Sequence, residues 1–218
     1  RRTSMEEMLS SHDYMHSILS LHSKWGIGHM TEHFLPDDLF HEILDLLKSN
    51  NDKLFFDEDH LCYLHSMTQR TLAESEIDLY IYCQALSDLV VDGNLDFYDQ
   101  KVHLTLSQRK KYFNHLLYVF ETNSNLTFKL AKEPMILDFK YQTNQCIFLS
   151  DQFSYIRLNT YNWANNLAII NHPNLKHMFD CFFNTVWNDA TSELLCDYSE
   201  IHSFFVHIIQ QINILSEI

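Results

Sequence analysis

The stretch LSDLVVDGNLDFYDQKVHLTLSQRKKYFNHLLYVFETN, residues 86–123, contains the signals of four successive elements. The end of a helix leads into a turn at Gly93 and its polar neighbours. Residues 95–105 then contain two short runs with strand-like alternation, which predict a hairpin. Thr105 or Ser107 supplies a cap for the helix that follows. We expect this window to join a helical first half to a second half rich in strands.

The rest of the chain divides around this window. Upstream, apolar residues recur at helical spacing. Four helices are predicted there, at residues 4–24, 36–49, 57–70 and 74–91. Downstream, short aromatic or β-branched runs predict strands, and two helices follow that begin near Pro173 and Ser199. The strands are expected at residues 126–132, 135–141, 146–150, 153–158 and 167–171.

The order of the elements, helices first, then strands, then helices, favours an α+β fold over a doubly wound sheet. We expect a helical N-terminal half followed by a small antiparallel sheet that is packed by the C-terminal helices. Residues 1–122 are interpreted as a helical linker and dimerisation region, and residues 123–218 as an α+β sensor-like domain.

Composition argues against several classes of enzyme. Hydrophobic residues make up 46% of the chain, which is ample for a core, but there are only 3 glycines and 3 prolines in 218 residues. Loops that cradle phosphate need glycine for close backbone approach. Neither GxGxxG nor GxxxxGK[ST] occurs. A Rossmann or P-loop enzyme is therefore not expected.

Charge argues against direct binding to nucleic acids or anionic membranes. The formal net charge is −14, and Lys and Arg form no basic stripe. Neutralisation of phosphates by basic residues supplies most non-specific affinity for DNA and RNA. The 5 cysteines contain no CxxC pair, which indicates free thiols in a reducing compartment. No apolar run of about 20 residues is present. We expect a cytoplasmic protein without a membrane segment.

The 14 histidines suggest metal binding, but the pattern is weak. The pairs His12/His16 and His29/His33 have the i,i+4 spacing that chelates a metal on one helix face. A site needs a third ligand, and HExxH does not occur. Structural or solvent-facing histidines are the preferred interpretation, with a metal-dependent hydrolase as the least favoured one. No cofactor is expected.

Two further motifs each lack a residue that their chemistry requires. His22-Ser23-Lys24 is an HxK triplet, the combination that phospholipase D chemistry uses, but no downstream Asp completes it and it is expected at a helix end. Residues 92–96 open like a calcium loop, yet Phe97 stands where that loop needs Gly. GxSxG is also absent from the sequence. We therefore expect a protein that is not an enzyme.

Aromatic residues of the second half form the best candidate for a binding site. They surround one arginine in the sequence, and an arginine among aromatic side chains pairs with an anion or extends to solvent. Such a set is suited to line a small-molecule pocket, while packing in a core is the alternative. The candidate ligand-binding residues are Tyr155, Arg157, Trp163, Phe179, Phe183 and Trp187.

From residue 85 onward, three stretches carry a resemblance to a known class of protein. They are ALSDLVVDGNLDFYDQKVHLTLSQRKKYFNHLLYVFETN, CIFLSDQFSYIRLN and IINHPNLKHMFDCFFNTVWNDA. Together they resemble the C-terminal, non-DNA-binding part of bacterial helix-turn-helix transcription regulators of the XRE type. The last stretch is similar to the aromatic helix that closes a phospholipase D-like sensor module without its catalytic motif.

The resemblance implies a regulatory module that forms a homodimer and senses an unknown small molecule or protein partner. It would contact DNA only through an N-terminal domain that this sequence, which starts with Arg-Arg, does not contain. The alternative is a protein–protein interaction scaffold that binds no ligand.

Overall fold

The computed structural model describes residues 22–27, 32–49, 57–97, 100–132, 145–150, 154–158, 166–170, 172–189 and 194–217. The helices in these ranges are α1 (Asp37–Ser49), α2 (Glu58–Glu74), α3 (Cys83–Asp92), α4 (Leu106–Thr122), α5 (Pro173–Asn188) and α6 (Tyr198–Leu215), and a 3-10 helix spans Glu32–Phe34. The strands are β1 (His22–Ile27), β2 (Glu76–Tyr82), β3 (Asn94–Phe97), β4 (Gln100–His103), β5 (Leu126–Ala131), β6 (Gln145–Ser150), β7 (Ser154–Leu158), β8 (Asn166–Ile170) and β9 (Leu194–Leu195).

The fold is α+β, as the sequence predicts. Seven strands form one mixed sheet in the order β8-β7-β6-β1-β2-β5-β9, and β3 pairs with β4 in a separate hairpin. The expectation of a purely antiparallel sheet is wrong, because β1, β2 and β5 are parallel to one another. Parallel neighbours need long crossover connections. The helices α1 to α4 supply those connections.

The helix predicted at residues 74–91 is wrong in its first half, which is the interior strand β2. Ile77, Leu79 and Ile81 are buried on one face of the sheet and Tyr80 on the other. These residues do alternate with period two, but the apolar run continues without a break into α3, so the two elements resemble one helix. Residues 22–24 belong to strand β1 instead of a helix. The rest of that predicted helix, residues 4–21, lies outside the described ranges.

Several local predictions are confirmed. The hairpin β3–β4 forms, and Thr105 caps α4 through a reciprocal capping box with Gln108. Pro173 occupies the first turn of α5. The predicted strands near 126, 146, 153 and 167 correspond to β5, β6, β7 and β8. The strand predicted at 135–141 lies outside the described part of the chain.

The two faces of the sheet differ greatly in what covers them. One face carries the main apolar core, which joins β1, β2 and β5 to α1, α2, α3, α4 and α6. The other face carries a small cluster made by α5. Strands from both sides of residue 122 pair within the one sheet. The predicted boundary at residue 122 therefore does not coincide with a division of the sheet.

None of the described helices combines the length and hydropathy required to cross a bilayer.

Candidate functional site

Helix α5 and the strand residues beneath it form the candidate site. Successive residues of a strand point to opposite faces. In β1, Trp25 and Ile27 therefore enter the main core, while Lys24 belongs to the face on which α5 lies. Tyr80 of β2 belongs to this same face. We call this arrangement the α5 face.

A single fully buried side chain anchors α5. Phe183 is 0% exposed and packs with Tyr80, Ala131 and Leu149 of the sheet. The ring of Phe183 is also stacked on that of Trp187, with centroids 5.6 Å apart and planes inclined by 22°. This cluster is separate from the main core, and among the described residues it holds the apolar contacts of α5.

Two lysines of the sheet add polar contacts to α5. The Lys24 Nζ donates to Asp180 Oδ1 at 2.5 Å, with the Lys24 side chain 19% exposed and the Asp180 side chain 41% exposed. The Lys129 Nζ donates to the backbone carbonyl of Trp187 at 2.7 Å and lies 4.4 Å from the centroid of its ring. A cation at a helix C-terminus is favoured by the helix dipole, and its position over an indole adds a cation–π contact.

The outer side of α5 exposes a row of large apolar side chains. Leu175, Met178 and Phe182 are 46%, 53% and 37% exposed and follow the spacing i, i+3, i+7. That spacing places them along one stripe of the helix. Successive residues of a helix are about 100° apart, so this stripe lies beside the side that carries Phe183 and Trp187 and is not opposite it.

The structure brings together only half of the predicted ligand-binding residues. Phe179, Phe183 and Trp187 lie together on α5. Residues 155 and 157 on β7 pair with residues 148 and 146 of β6, which pair with Trp25 and Ile27. Trp163 and the side chains of residues 155 and 157 lie outside the described part of the chain. A pocket formed by all six residues stays a prediction.

Sequence reasoning missed the polar members of the α5 face, which are Lys24, Asp78, Asp180 and Lys129. The alternation in HSKWGI around Lys24 was the available signal, because it matches a strand with one polar and one apolar face. Nothing in the sequence indicated that Asp180 lies over Lys24, since 156 positions separate them.

The HxK triplet lies in a strand and not at the predicted helix end. His22 Nε2 lies 3.3 Å from Asp78 Oδ2 on the neighbouring strand. The lysine of the triplet contacts the carboxylate of Asp180. The contact of His22 therefore lies within the sheet, whereas the ion pair of Lys24 joins the sheet to α5.

The other sequence motifs have structural explanations where they are described. Gly93 ends α3 in the left-handed conformation, with φ of +68°, which confirms the predicted turn. His33 is buried 5.9 Å from the ring of Trp25, whereas His12, His16 and His29 lie outside the described ranges. Within those ranges, no three His, Cys, Asp or Glu side chains are grouped as metal ligands.

Comparison with known proteins gives no relative from which a role could be transferred: no protein-family model, no curated protein and no solved structure matches the chain significantly.

Proposed function

We propose that this chain is the effector-sensing and dimerisation module of a bacterial transcription regulator, without catalytic activity of its own. DNA contact would come from a domain outside this sequence. The observation that carries the proposal is the attachment of α5, which among the described residues packs in a small apolar cluster separate from the large core that the remaining helices share. An element with few buried contacts is the kind that regulatory proteins move.

In this proposal the effector binds at the α5 face and favours one of two positions of α5. A ligand shifts such an equilibrium only by the difference between its affinities for the two states. Contacts that change when α5 moves, such as those of Asp180 and Trp187, are suited to supply that difference. The linker helices then transmit the change to the attached DNA-binding domain. The sequence resemblance to XRE-type regulators supports this arrangement.

Thermal unfolding in the presence of nucleotides, amino acids, sugar phosphates and small carboxylic acids tests the sensing role. A compound present at a hundred times its dissociation constant stabilises the folded state by about 2.7 kcal/mol. We expect at least one such compound to raise the melting temperature and to slow amide exchange in α5. The effect should be lost in Trp187→Ala and kept in Tyr118→Ala, which changes an exposed residue of α4.

The exposed row on α5 favours a second function, a protein–protein interaction scaffold that binds no small molecule. Phe182→Ser distinguishes the two functions when self-association is measured by light scattering. A regulatory module that dimerises through its first 122 residues keeps its dimer in this variant, whereas a scaffold that uses α5 loses self-association. Val91→Ser is the matched control, because Val91 is 71% exposed on α3. Loss of self-association together with no thermal shift in the compound panel would reject the sensing role.

A further inference from the structure

The packing of α1 against α2 and α4 contains buried histidines where apolar residues are expected. His65 of α2 is 3% exposed, and its ring is stacked on Phe40 of α1 with centroids 4.1 Å apart and planes inclined by 6°. His115 of α4 is half-buried, and its Nε2 atom is inaccessible to solvent. We call His65 and His115 the buried histidine pair.

The hydrogen bonds of His65 fix its preferred protonation state. His65 Nε2 lies 2.8 Å from Asp37 Oδ1. An ionised carboxylate can only accept, so we assign the single proton of the neutral ring to Nε2. The Nδ1 atom is buried and has no hydrogen-bond partner among the described residues. A second proton on this ring would therefore create a buried N–H donor with no acceptor.

Titratable groups approach the pair from α1, from α4 and from the 3-10 helix, which packs against α2 and α4 and carries the buried side chains of Glu32 and His33. Besides Asp37, α1 contributes Asp38, Glu42 and His41 near the pair, and α4 contributes Lys111. Asp38 and Glu42 already contact Lys111, and Asp37 is itself largely exposed, at 81% for its side chain. The carboxylate that contacts the ring of His65 is therefore one that lies mostly in water.

Both histidines favour the neutral form in the folded state. Burial lowers the pKa of His65, and the hydrogen bond and charge of Asp37 oppose this effect only in part. Burial likewise lowers the pKa of His115. An unfolded histidine has a pKa of about 6.5. Because the folded values are depressed, the pair contributes stability that is fully present above about pH 6.5 and is lost as the pH falls through the folded values.

We propose that the buried histidine pair makes the attachment of α1 sensitive to acid, so that a fall from pH 7 to pH 5 favours a state in which α1 has separated from α2 and α4. Separation exposes the Phe40 side of α1 and allows both imidazoles to be protonated in water. The device is independent of the α5 face, because it lies on the other side of the sheet.

Denaturant unfolding between pH 7.5 and pH 5 tests the proposal on wild type, His65→Gln, His115→Gln and the double variant. Glutamine keeps a side-chain donor in place of His65 Nε2 but does not titrate. Each proton taken up on unfolding raises the unfolding equilibrium constant by at most about tenfold per pH unit. We expect the wild-type constant to rise steeply below pH 6.5 and the rise to be shallower in each variant. His207→Gln, which changes an exposed histidine of α6, should keep the wild-type slope.

Amide hydrogen exchange locates the opening. After correction for intrinsic exchange rates, amides of α1 should lose protection between pH 7 and pH 5.5 before those of β2 do. A His65→Gln variant with the same pH slope as wild type overturns the proposal. If that variant does not fold, the wild-type His65 ring is followed by NMR. Its titration should coincide with loss of α1 protection, and reversible titration with α1 protection intact overturns the proposal.

Discussion

The guanidinium group of Arg109 lies directly against the backbone of Gly93. A Cβ atom at position 93 would be 2.1 Å from Arg109 Nη2, a distance that no packing tolerates. Gly93 ends α3 with φ of +68°, and Arg109 is 7% exposed on α4. Arg109 Nη1 donates to the carbonyl of Val90 at 2.8 Å, and Nε donates to the carbonyl of Leu104 at 2.9 Å. The arginine thus caps the C-terminus of α3 and ties it to the hairpin and to α4.

Gly93→Ala should lower the free energy of unfolding by at least about 2 kcal/mol. The left-handed conformation is unfavourable for alanine, and the added Cβ atom displaces the guanidinium group of Arg109. Gly93→Asn separates the two causes, since asparagine tolerates this conformation but also carries a Cβ. If displacement dominates, the two variants lose similar stability in denaturant unfolding. The loss from Gly93→Ala should also shrink in an Arg109→Ala background; strict additivity of the two losses would contradict the close contact.

Arg109→Lys should lower the free energy of unfolding by about 2 kcal/mol although the charge is kept. Lysine cannot reach several carbonyl groups at once in the planar geometry of a guanidinium. Lys110→Ala is the control, because Lys110 is the exposed neighbour and its replacement should change stability by no more than about 0.5 kcal/mol. Equal effects of the two variants in denaturant unfolding would show that the buried contacts of Arg109 contribute little.

Thr105→Ala should destabilise the protein by about 1 kcal/mol, the usual cost of removing an N-cap side chain. The Thr105 hydroxyl accepts from the Gln108 amide, and the Gln108 side chain accepts from the Thr105 amide. Ser107→Ala is the matched control at the alternative cap position suggested by the sequence. If Ser107→Ala lowers the free energy of unfolding more than Thr105→Ala does, Ser107 is the N-cap and α4 starts two residues later.

Loss of the Lys24–Asp180 ion pair should loosen α5 without greatly changing global stability. The pair is partly exposed, so its coupling in a double-mutant cycle of Lys24→Ala and Asp180→Ala should be at most about 1 kcal/mol. Amide exchange in α5 should nevertheless quicken in either single variant. Arg70→Ala, which breaks the exposed i,i+4 pair with Glu74 on α2, should leave exchange in α5 unchanged. An unchanged rate of amide exchange in α5 of the Asp180→Ala variant would contradict the proposed role of this ion pair.

The sequence by itself determined those elements whose signals are local. The turn at Gly93, the capping box at Thr105 and the start of α5 at Pro173 each depend on a few neighbouring residues, and the structure confirms all three. The α+β class is also confirmed, although β1 and β2 lie in the half that was predicted to be helical. Such features are predictable because backbone conformation and capping act within one or two turns of chain.

Tertiary structure alone decided the features that depend on distant partners. Strand β2 resembles a helix in the sequence because its apolar run continues directly into α3, and only pairing with β1 and β5 makes it an interior strand of the sheet. Phe183 is fully buried against Tyr80, Ala131 and Leu149, which come from three different strands, and the sequence could not indicate these partners. In the opening window, Arg109 belongs to the only basic triplet there. It is buried because Gly93, 16 positions earlier, has no side chain and leaves space for the guanidinium beside the carbonyl groups that end α3.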